Sequence, residues 1–278
     1  MTTRSTPNHT LPEYQHPPVV EVAASIQFAN IRGLDAARLG LLWSRFRDSY
    51  PRTEQHPPLA TASEIFESTR GGRVGFSAET SFPVPRLWFL NSDGTRLVQV
   101  QSNRLVVNWR QLDTGKPYVR FSGLMSMLSE SVDLLGVFLD DEKLESMKPD
   151  QVELTYVNHI RVGEKGSARA PLSRYIPCWR SEPASWTLGT AEEASFRTQY
   201  VLTRQGSASA RLFVELDSGY TASSRTPIYV MNLIARGAPD TPTVESALSF
   251  FDEAHQWIVN GFTSLTTDEA HTLWGRHA

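Results

Sequence analysis

The chain contains a single cysteine, Cys178, among its 278 residues. One thiol cannot form a disulfide within the chain, and it cannot by itself build a thiolate metal site. Long apolar runs are also missing, since no stretch approaches the ~20 apolar residues that span a bilayer. Residues 1–7 lack the apolar centre of a signal peptide. We therefore expect a cytoplasmic protein with no membrane partner.

An excess of positive charge is absent as well. The chain carries 27 Lys and Arg against 30 Asp and Glu, which gives a formal net charge of -3. A general nucleic-acid binder needs a broad positive surface to neutralise phosphates. The sequence therefore disfavours nucleic acid as a partner and leaves room only for a local patch on the basic segment 86–120.

Recognisable catalytic motifs are missing too. The glycines of residues 71–75 lack the lysine of a phosphate-binding loop, and no G-x-S-x-G nucleophile elbow occurs. The histidines do not form a ligand set with the spacing of a helical metal site. The sequence implies no metal and no cofactor, and it assigns no catalytic residue. An enzyme remains the alternative, because side chains distant in sequence can meet in space.

What the sequence does contain is the same order of elements twice, over residues of about 19–140 and 151–265. Each half reads as an extended strand, a three-strand meander and a long amphipathic helix. The two helices are predicted at 121–139 and 243–263 from apolar residues recurring every three or four positions. We predict an α+β fold in which two similar halves build one twisted antiparallel sheet, with both long helices packed on one face.

The domain organisation follows from composition. Residues 1–17 are polar and proline-rich and are predicted to be a flexible arm. Residues 18–278 are predicted to form one globular domain, which ends in a short helix begun by a capping box of Thr266 and Glu269. An earlier helix is predicted at 34–50. Strands are predicted at 19–28, 87–90, 97–101, 105–109, 151–162, 195–204, 211–217 and 228–235.

Amide and guanidinium side chains share one face of the first meander, because successive residues of a strand point to opposite sides. These residues are Gln99, Gln101, Arg104, Asn108 and Arg110. Such an array suits recognition of a carboxylate, a phosphate or an exposed polypeptide. The alternative is the solvated face of an ordinary antiparallel sheet.

The long connection at residues 163–185 is a second candidate for binding. Loops of more than about 12–15 residues are uncommon inside a domain and often functional. The segment is predicted to be a lid or docking loop in which Trp179 contacts the partner. The alternative is a plain connection whose aromatic residues attach it to the core.

His255 lies on the apolar stripe of the second long helix. One interpretation is a core histidine with a satisfied hydrogen bond. The other places it in a cleft between the two halves, as acid or base for a small anionic molecule held by Arg110.

Several short motifs carry a resemblance that covers nearly the whole chain. They are PPVVEV at 17–22, RLWF at 86–89, QVQ at 99–101, NWR at 108–110 and WGR at 274–276. The chain resembles an uncharacterised family of about this length, sporadically distributed among prokaryotes, with no established activity. It departs from that family at 117–121, where PYVRF stands in place of a Tyr-Pro-Arg-Tyr run. Such a distribution implies an association with mobile or defence-type gene systems.

The sequence therefore predicts a cytoplasmic binding or interaction protein whose partner is an unknown protein or a small polar ligand. The alternative function is an enzyme, or a small-ligand-binding protein, that uses a cleft between the halves for a polar or anionic molecule.

Overall fold

A computed structural model of the chain describes residues 11–64, 66, 84–112, 117–179, 187, 191–204 and 206–277. Within these residues, nine strands form one open antiparallel sheet, accompanied by four α-helices. The α+β class predicted from the sequence is confirmed.

The strands lie close to their predicted positions, with one addition. They are β1 (Val19–Phe28), β2 (Arg52–His56), β3 (Arg86–Leu90), β4 (Arg96–Gln101), β5 (Arg104–Arg110), β6 (Pro149–Arg161), β7 (Ser195–Arg204), β8 (Ser207–Tyr220) and β9 (Pro227–Gly237). The sequence analysis missed β2, because its five residues are polar and almost entirely exposed and so carry no apolar alternation.

The helices also follow the apolar pattern. They are α1 (Ala36–Phe46), α2 (Phe121–Asp141), α3 (Val244–Leu265) and α4 (Asp268–Leu273). The predicted cap of α4 is wrong by one residue, since the Thr267 side chain accepts the Ala270 N–H. Thr266 instead donates its hydroxyl to the backbone oxygen of Phe262, which ends α3.

The strands stand in the order β2-β3-β4-β5-β1-β6-β9-β8-β7. β1 pairs with β5 on one side and with β6 on the other, and β6 continues the sheet to β9. The pairing of β1 with β6, with Ala24 opposite Leu154, joins the five strands before residue 111 to the four strands after residue 148.

The hydrophobic core contains residues of the sheet and of all four helices. On β5, Leu105, Val107 and Trp109 belong to it, whereas the alternating residues point away. α2 contacts β5 and β1, α3 contacts β6 and β9, and the two helices contact each other. By length and composition alone α2 could cross a membrane, but 44% of its most apolar window is buried inside the protein, and a core helix passes the same test.

The N-terminal segment differs from the prediction of a flexible arm through residue 17. Residues 11–17 lie against the C-terminal helices, and Tyr14 is only 5% exposed. The Tyr14 hydroxyl lies 2.8 Å from Thr263 Oγ1, and its ring packs edge-on against Phe262 and Trp274. One aromatic side chain buries enough apolar surface to order this otherwise polar segment.

Two glycines offer a direct check of this packing. A Cβ on Gly237, at the end of β9, would lie 2.7 Å from the backbone oxygen of Ser209 and 2.8 Å from the Phe250 ring. We expect Gly237→Ala to lower the free energy of unfolding by about 1–3 kcal/mol. Gly40→Ala, on α1 with nothing within 4 Å of the new methyl, should raise it by about 0.5–1 kcal/mol. Urea denaturation of both variants checks the pair, and equal effects would contradict the packing described.

Candidate functional site

A row of polar side chains crosses the sheet on the face opposite the core residues of β5. Its members stand directly opposite one another on the adjacent strands β4, β5, β1 and β6. All four are buried, being 3% to 6% exposed. We name this set the glutamine row: Gln101, Arg104, Gln27 and Gln151.

An extended segment of the chain itself, residues 57–64, runs across the glutamine row, and we name it the strap. Gln101 accepts the Leu59 N–H at 2.9 Å and donates to the Leu59 backbone oxygen at 3.1 Å. Gln27 makes the same pair of bonds with Ala62, at 2.8 and 3.0 Å. Each amide therefore pairs with one residue of the strap as a neighbouring strand would.

The two other members of the row complete the crossing. Arg104 donates to the Ala60 backbone oxygen at 2.9 Å and to Gln27 Oε1 at 2.6 Å. Gln151 accepts the Glu64 N–H at 3.3 Å. The strap thus meets the strands one after another in sheet order.

The Glu64 side chain anchors the far end of the strap. Its carboxylate forms ion pairs with Arg211 on β8 and with Arg236 on β9. Arg236 also contacts Glu153 at 2.5 Å, and the Arg211 guanidinium lies 4.3 Å from the centre of the Phe66 ring. Since the Glu64 side chain is only 7% exposed, its charge needs these two partners.

A second polar chain lies on the same face towards β3. Arg86 donates to Gln99 at 2.8 Å, Gln99 donates to Asn108 at 2.7 Å, and Asn108 donates to Glu21 at 2.7 Å. Gln99 and Asn108 are 6% and 4% exposed. The meander face is therefore neither solvated nor open, since its amides are already engaged within the chain.

Burial lowers the pKa of both Arg86 and Arg104. Neither has a carboxylate within ion-pair distance among the described residues. Their hydrogen bonds to neutral oxygens of Gln99, Gln27 and Ala60 replace part of the lost hydration.

The structure does not bring Arg110 and His255 together. The Arg110 guanidinium lies 6.0 Å from the Trp88 ring centre, on the polar face. His255 lies on α3 and meets Tyr156 on the opposite face of β6 from Gln151. An anion held by Arg110 therefore cannot reach His255.

A pocket of about 530 Å³ opens between the N-terminal segment, β6 and α3. It is lined by the N-terminal segment 11–18, the turn before α2, β6, β9 and α3. Its walls are mainly apolar, with Leu233, Ile258 and Phe262 among them. Its polar groups include Tyr118, Arg120, Tyr156, Asn158 and His255.

Three of those polar groups form a hydrogen-bonded chain. Tyr118 donates to Tyr156 at 3.5 Å, and the Tyr156 hydroxyl lies 3.0 Å from His255 Nδ1. The His255 ring stacks on Phe121, with centres 4.0 Å apart and planes 4° from parallel. Burial raises the pKa of Tyr118 and of Tyr156, so both phenols keep their protons.

This chain fixes the protonation of His255. Tyr156 already accepts from Tyr118, so we assign its proton to the bond with Nδ1, which leaves the imidazole proton on Nε2. Burial lowers the pKa of His255 to about 4, so the ring is neutral near pH 7. His255 therefore offers a neutral N–H donor on its other side.

Arg120 stands at the rim of the pocket, directly before α2. It has positive φ (24°, with ψ 162°), and no side chain caps the first turn of the helix. That backbone region is unfavourable for a residue with a Cβ. The strained position holds a guanidinium beside the free N–H groups of the α2 N-terminus, where the helix dipole favours negative charge.

The described part of the predicted lid, residues 163–179, is attached to the body. Leu172 and Ile176 are buried, and the Tyr175 hydroxyl donates to the backbone oxygen of Arg161 at 3.4 Å. The Tyr175 backbone oxygen accepts the Thr267 N–H. Trp179 is 37% exposed and lies beside residues 180–185, which fall outside the described part of the chain.

Sequence reasoning missed Tyr118, Tyr156, Gln27 and Gln151. Strand parity places Tyr156 on the apolar face of β6 with Val152 and Leu154, and a phenol there needs a hydrogen-bond partner. The position of Tyr156 in the sequence therefore predicts that its hydroxyl has a hydrogen-bond partner. Nothing in the sequence indicates which residues would meet Tyr156.

No group of His, Cys, Asp and Glu side chains able to hold a metal ion occurs among the described residues. Comparison with known proteins adds no assignment, since no protein-family model and no curated protein matches the chain. The functional argument therefore rests on the geometry of the pocket and of the polar face.

The half-buried His255 should make stability depend on pH. Its pKa is about 4 in the folded state against 6.5 ordinarily, so between these values the unfolded chain binds a proton that the folded chain does not. Lowering the pH from 7 to 4 should therefore remove on the order of 3 kcal/mol of stability through this group. The His255→Gln variant has no imidazole at this position, so it should not lose this stability as the pH falls.

The measurement is the difference in unfolding free energy between wild type and His255→Gln at several pH values. Burial also lowers the pKa of His159 and His271, but both proteins retain them, so their contributions cancel. A difference that stays constant from pH 7 to 4 would contradict the burial of His255.

The strain at Arg120 can be separated from its charge. Arg120→Gly removes both, whereas Arg120→Ala removes the charge and keeps the Cβ. We expect the Gly variant to be more stable than the Ala variant by about 1 kcal/mol, since strain relief exceeds the entropy cost of glycine. Urea denaturation of the two variants decides this, and an Ala variant of equal stability would show that the backbone is unstrained.

Proposed function

We propose that this chain is a binding protein for a small polar or anionic molecule held in the pocket between its two halves. The observation that carries the proposal is the Tyr118–Tyr156–His255 chain, which ends in a pocket of about 530 Å³. Ligand pockets commonly have this size, with mainly apolar walls and a few convergent polar groups.

The lining suggests the chemistry of the ligand. The Nε2–H of His255 and the guanidinium of Arg120 are donors, so the ligand should present an acceptor oxygen, such as that of a carboxylate or phosphate. The walls formed by Leu233, Ile258 and Phe262 suit an apolar body. Asn158 gives its side-chain N–H to the Met231 backbone oxygen, which leaves its Oδ1 as an acceptor for a ligand hydroxyl.

The pocket is better suited to binding a ligand than to catalysing a reaction. A general base works best with a pKa near the operating pH, whereas burial holds the pKa of His255 at about 4. Desolvation is the cause of that shift, with no contribution from a carboxylate. An enzyme that uses this cleft remains the alternative, and it would need the ligand itself to raise the basicity of His255.

We also infer that the two halves share one plan, with α2 and α3 packed on the same face of the sheet. In the first half β1 pairs with β5, the last strand of its meander, and in the second half β6 pairs with β9 in the same way. The helix that follows each meander contacts its own pair of strands. The pocket then lies at the junction of two related units, where binding sites often form.

Native mass spectrometry of the protein purified from its own host tests the proposal. We expect wild type to carry an adduct of small-molecule mass. Ser122→Phe places a bulky ring at an exposed lining position on the first turn of α2, and it should lose the adduct.

The matched control is Ser126→Phe, one turn further along the same exposed side of α2 and outside the pocket lining. It should retain the adduct, and thermal melts should show both variants folded. An adduct that persists in Ser122→Phe, or its absence from all three proteins, would contradict the proposed pocket function.

A further inference from the structure

The strap is bound to the sheet as a peptide ligand would be. We propose that the glutamine row is a recognition surface for an extended, carboxylate-bearing segment of a partner protein, and that the strap occupies this surface in cis. This inference is independent of the pocket, which lies on the opposite side of the sheet.

The first argument is that the glutamine row forms hydrogen bonds with backbone atoms of the strap. Gln101, Gln27, Arg104 and Gln151 bond to N–H or C=O groups of the strap and not to its side chains. Backbone hydrogen bonds give affinity for any chain in the extended conformation, as when a peptide adds to the edge of a sheet. The surface therefore fits an extended segment of another protein as well as its own.

The second argument is the spacing. From Gln101 to Gln27 the row crosses two inter-strand steps, which is about 9.6 Å. The strap covers this with the three residue steps from Leu59 to Ala62, which span about 9.3 Å at the rise of a polyproline II chain. Leu59 and Ala62 are three residues apart, and both turn their N–H and C=O groups to the row. The row therefore matches a chain with a three-residue repeat, as in polyproline II, and not a β-strand, whose repeat is two residues.

The third argument is that little apolar burial holds the strap. No apolar residue of the strap is buried, and Leu59, its one large apolar side chain, is 37% exposed. Segments with few buried apolar contacts open locally at much lower free energy than the sheet beneath them. A competing segment can therefore displace the strap from the glutamine row without unfolding the protein.

The present contacts define the partner segment. The backbones of Ala60 and Ala62 bond to Arg104 and Gln27, so the partner segment should carry small side chains at these two positions. Its carboxylate takes the place of Glu64 between Arg211 and Arg236. The partner thus has an extended run of small residues that ends in Asp or Glu. Pairing that carboxylate with two arginines supplies the side-chain specificity that backbone bonds lack.

Amide hydrogen exchange on the intact protein tests whether the strap opens by itself. We expect the N–H groups of Leu59, Ala62 and Glu64 to exchange on the order of 100-fold faster than those of β1 and β6. Equal protection would mean that the strap is released only when the sheet unfolds, and this result would overturn the proposal.

Binding in trans is tested with a labelled peptide of residues 57–64, PPLATASE, followed by fluorescence anisotropy. The protein variant is Ala62→Pro, which removes the N–H that Gln27 accepts and so weakens the strap in cis. We expect the peptide to bind this variant at least about tenfold more tightly than wild type, because the competing strap is released more often.

The control is the same peptide with Lys in place of its Glu, which should bind at least about tenfold more weakly because it meets two arginines. A folded Ala62→Pro protein that binds neither peptide, or binds both equally, overturns the proposal. Should the variant fail to fold, the exchange measurement on wild type decides the question alone. Neither test involves the pocket, so failure here leaves the small-molecule proposal standing.

Discussion

The antiparallel pairing of β1 with β6 is the contact on which the rest of the structure depends. It runs along the whole of β1 and connects strands that are more than a hundred residues apart in sequence. Without it, the chain would form two smaller sheets, each with an exposed edge that invites association. With it, the nine strands share one core, and the segments that lie on either face must fit the strands of both halves.

One consequence of that pairing is a polar face that crosses the middle of the sheet. Gln27 and Gln151 stand opposite each other on β1 and β6, next to Arg104 and Gln101. Covering these side chains with apolar residues would leave their donors and acceptors without partners, at a cost of about 1–3 kcal/mol each. The strap avoids most of that cost, because each backbone residue carries one donor and one acceptor, and the Gln101 and Gln27 amides bond to both groups of Leu59 and of Ala62.

The sequence predicts those parts of the fold that depend on local pattern. Alternation located β1 and the meander strands, and apolar spacing located α2 and α3, because each pattern lies within the element that it specifies. β2, the strap and the ordered segment around Tyr14 were not predicted, because polar residues at those positions are held by contacts far away in sequence. Tyr14 meets Thr263, and Ala62 meets Gln27, at separations that no periodicity encodes.

In the candidate site too, the sequence predicts what depends on local pattern and misses what depends on distant contacts. Parity correctly grouped Gln99, Gln101, Arg104, Asn108 and Arg110 on one face of the sheet. It could not reveal that the chain itself would engage all five of them, because a hydrogen-bonding face looks the same in sequence whether its partner is solvent, another protein or a distant segment. The sequence likewise allows two interpretations of His255, a core residue or a cleft residue. The hydrogen bond with Tyr156 assigns the imidazole proton to Nε2, and the ring lines the pocket.

The pocket and the strap use opposite faces of the same central strand. On β6, Gln151 bonds to the strap, whereas Tyr156 reaches the pocket, and the odd separation of these residues places them on different sides. Both strands that flank β6 pair with it in continuous register across Tyr156, so a ligand that pushes on Tyr156 meets a fixed backbone. Packed sheets resist such displacement. Occupation of the pocket should therefore leave the strap in place, and the two proposed binding surfaces should act as separate sites on one rigid support.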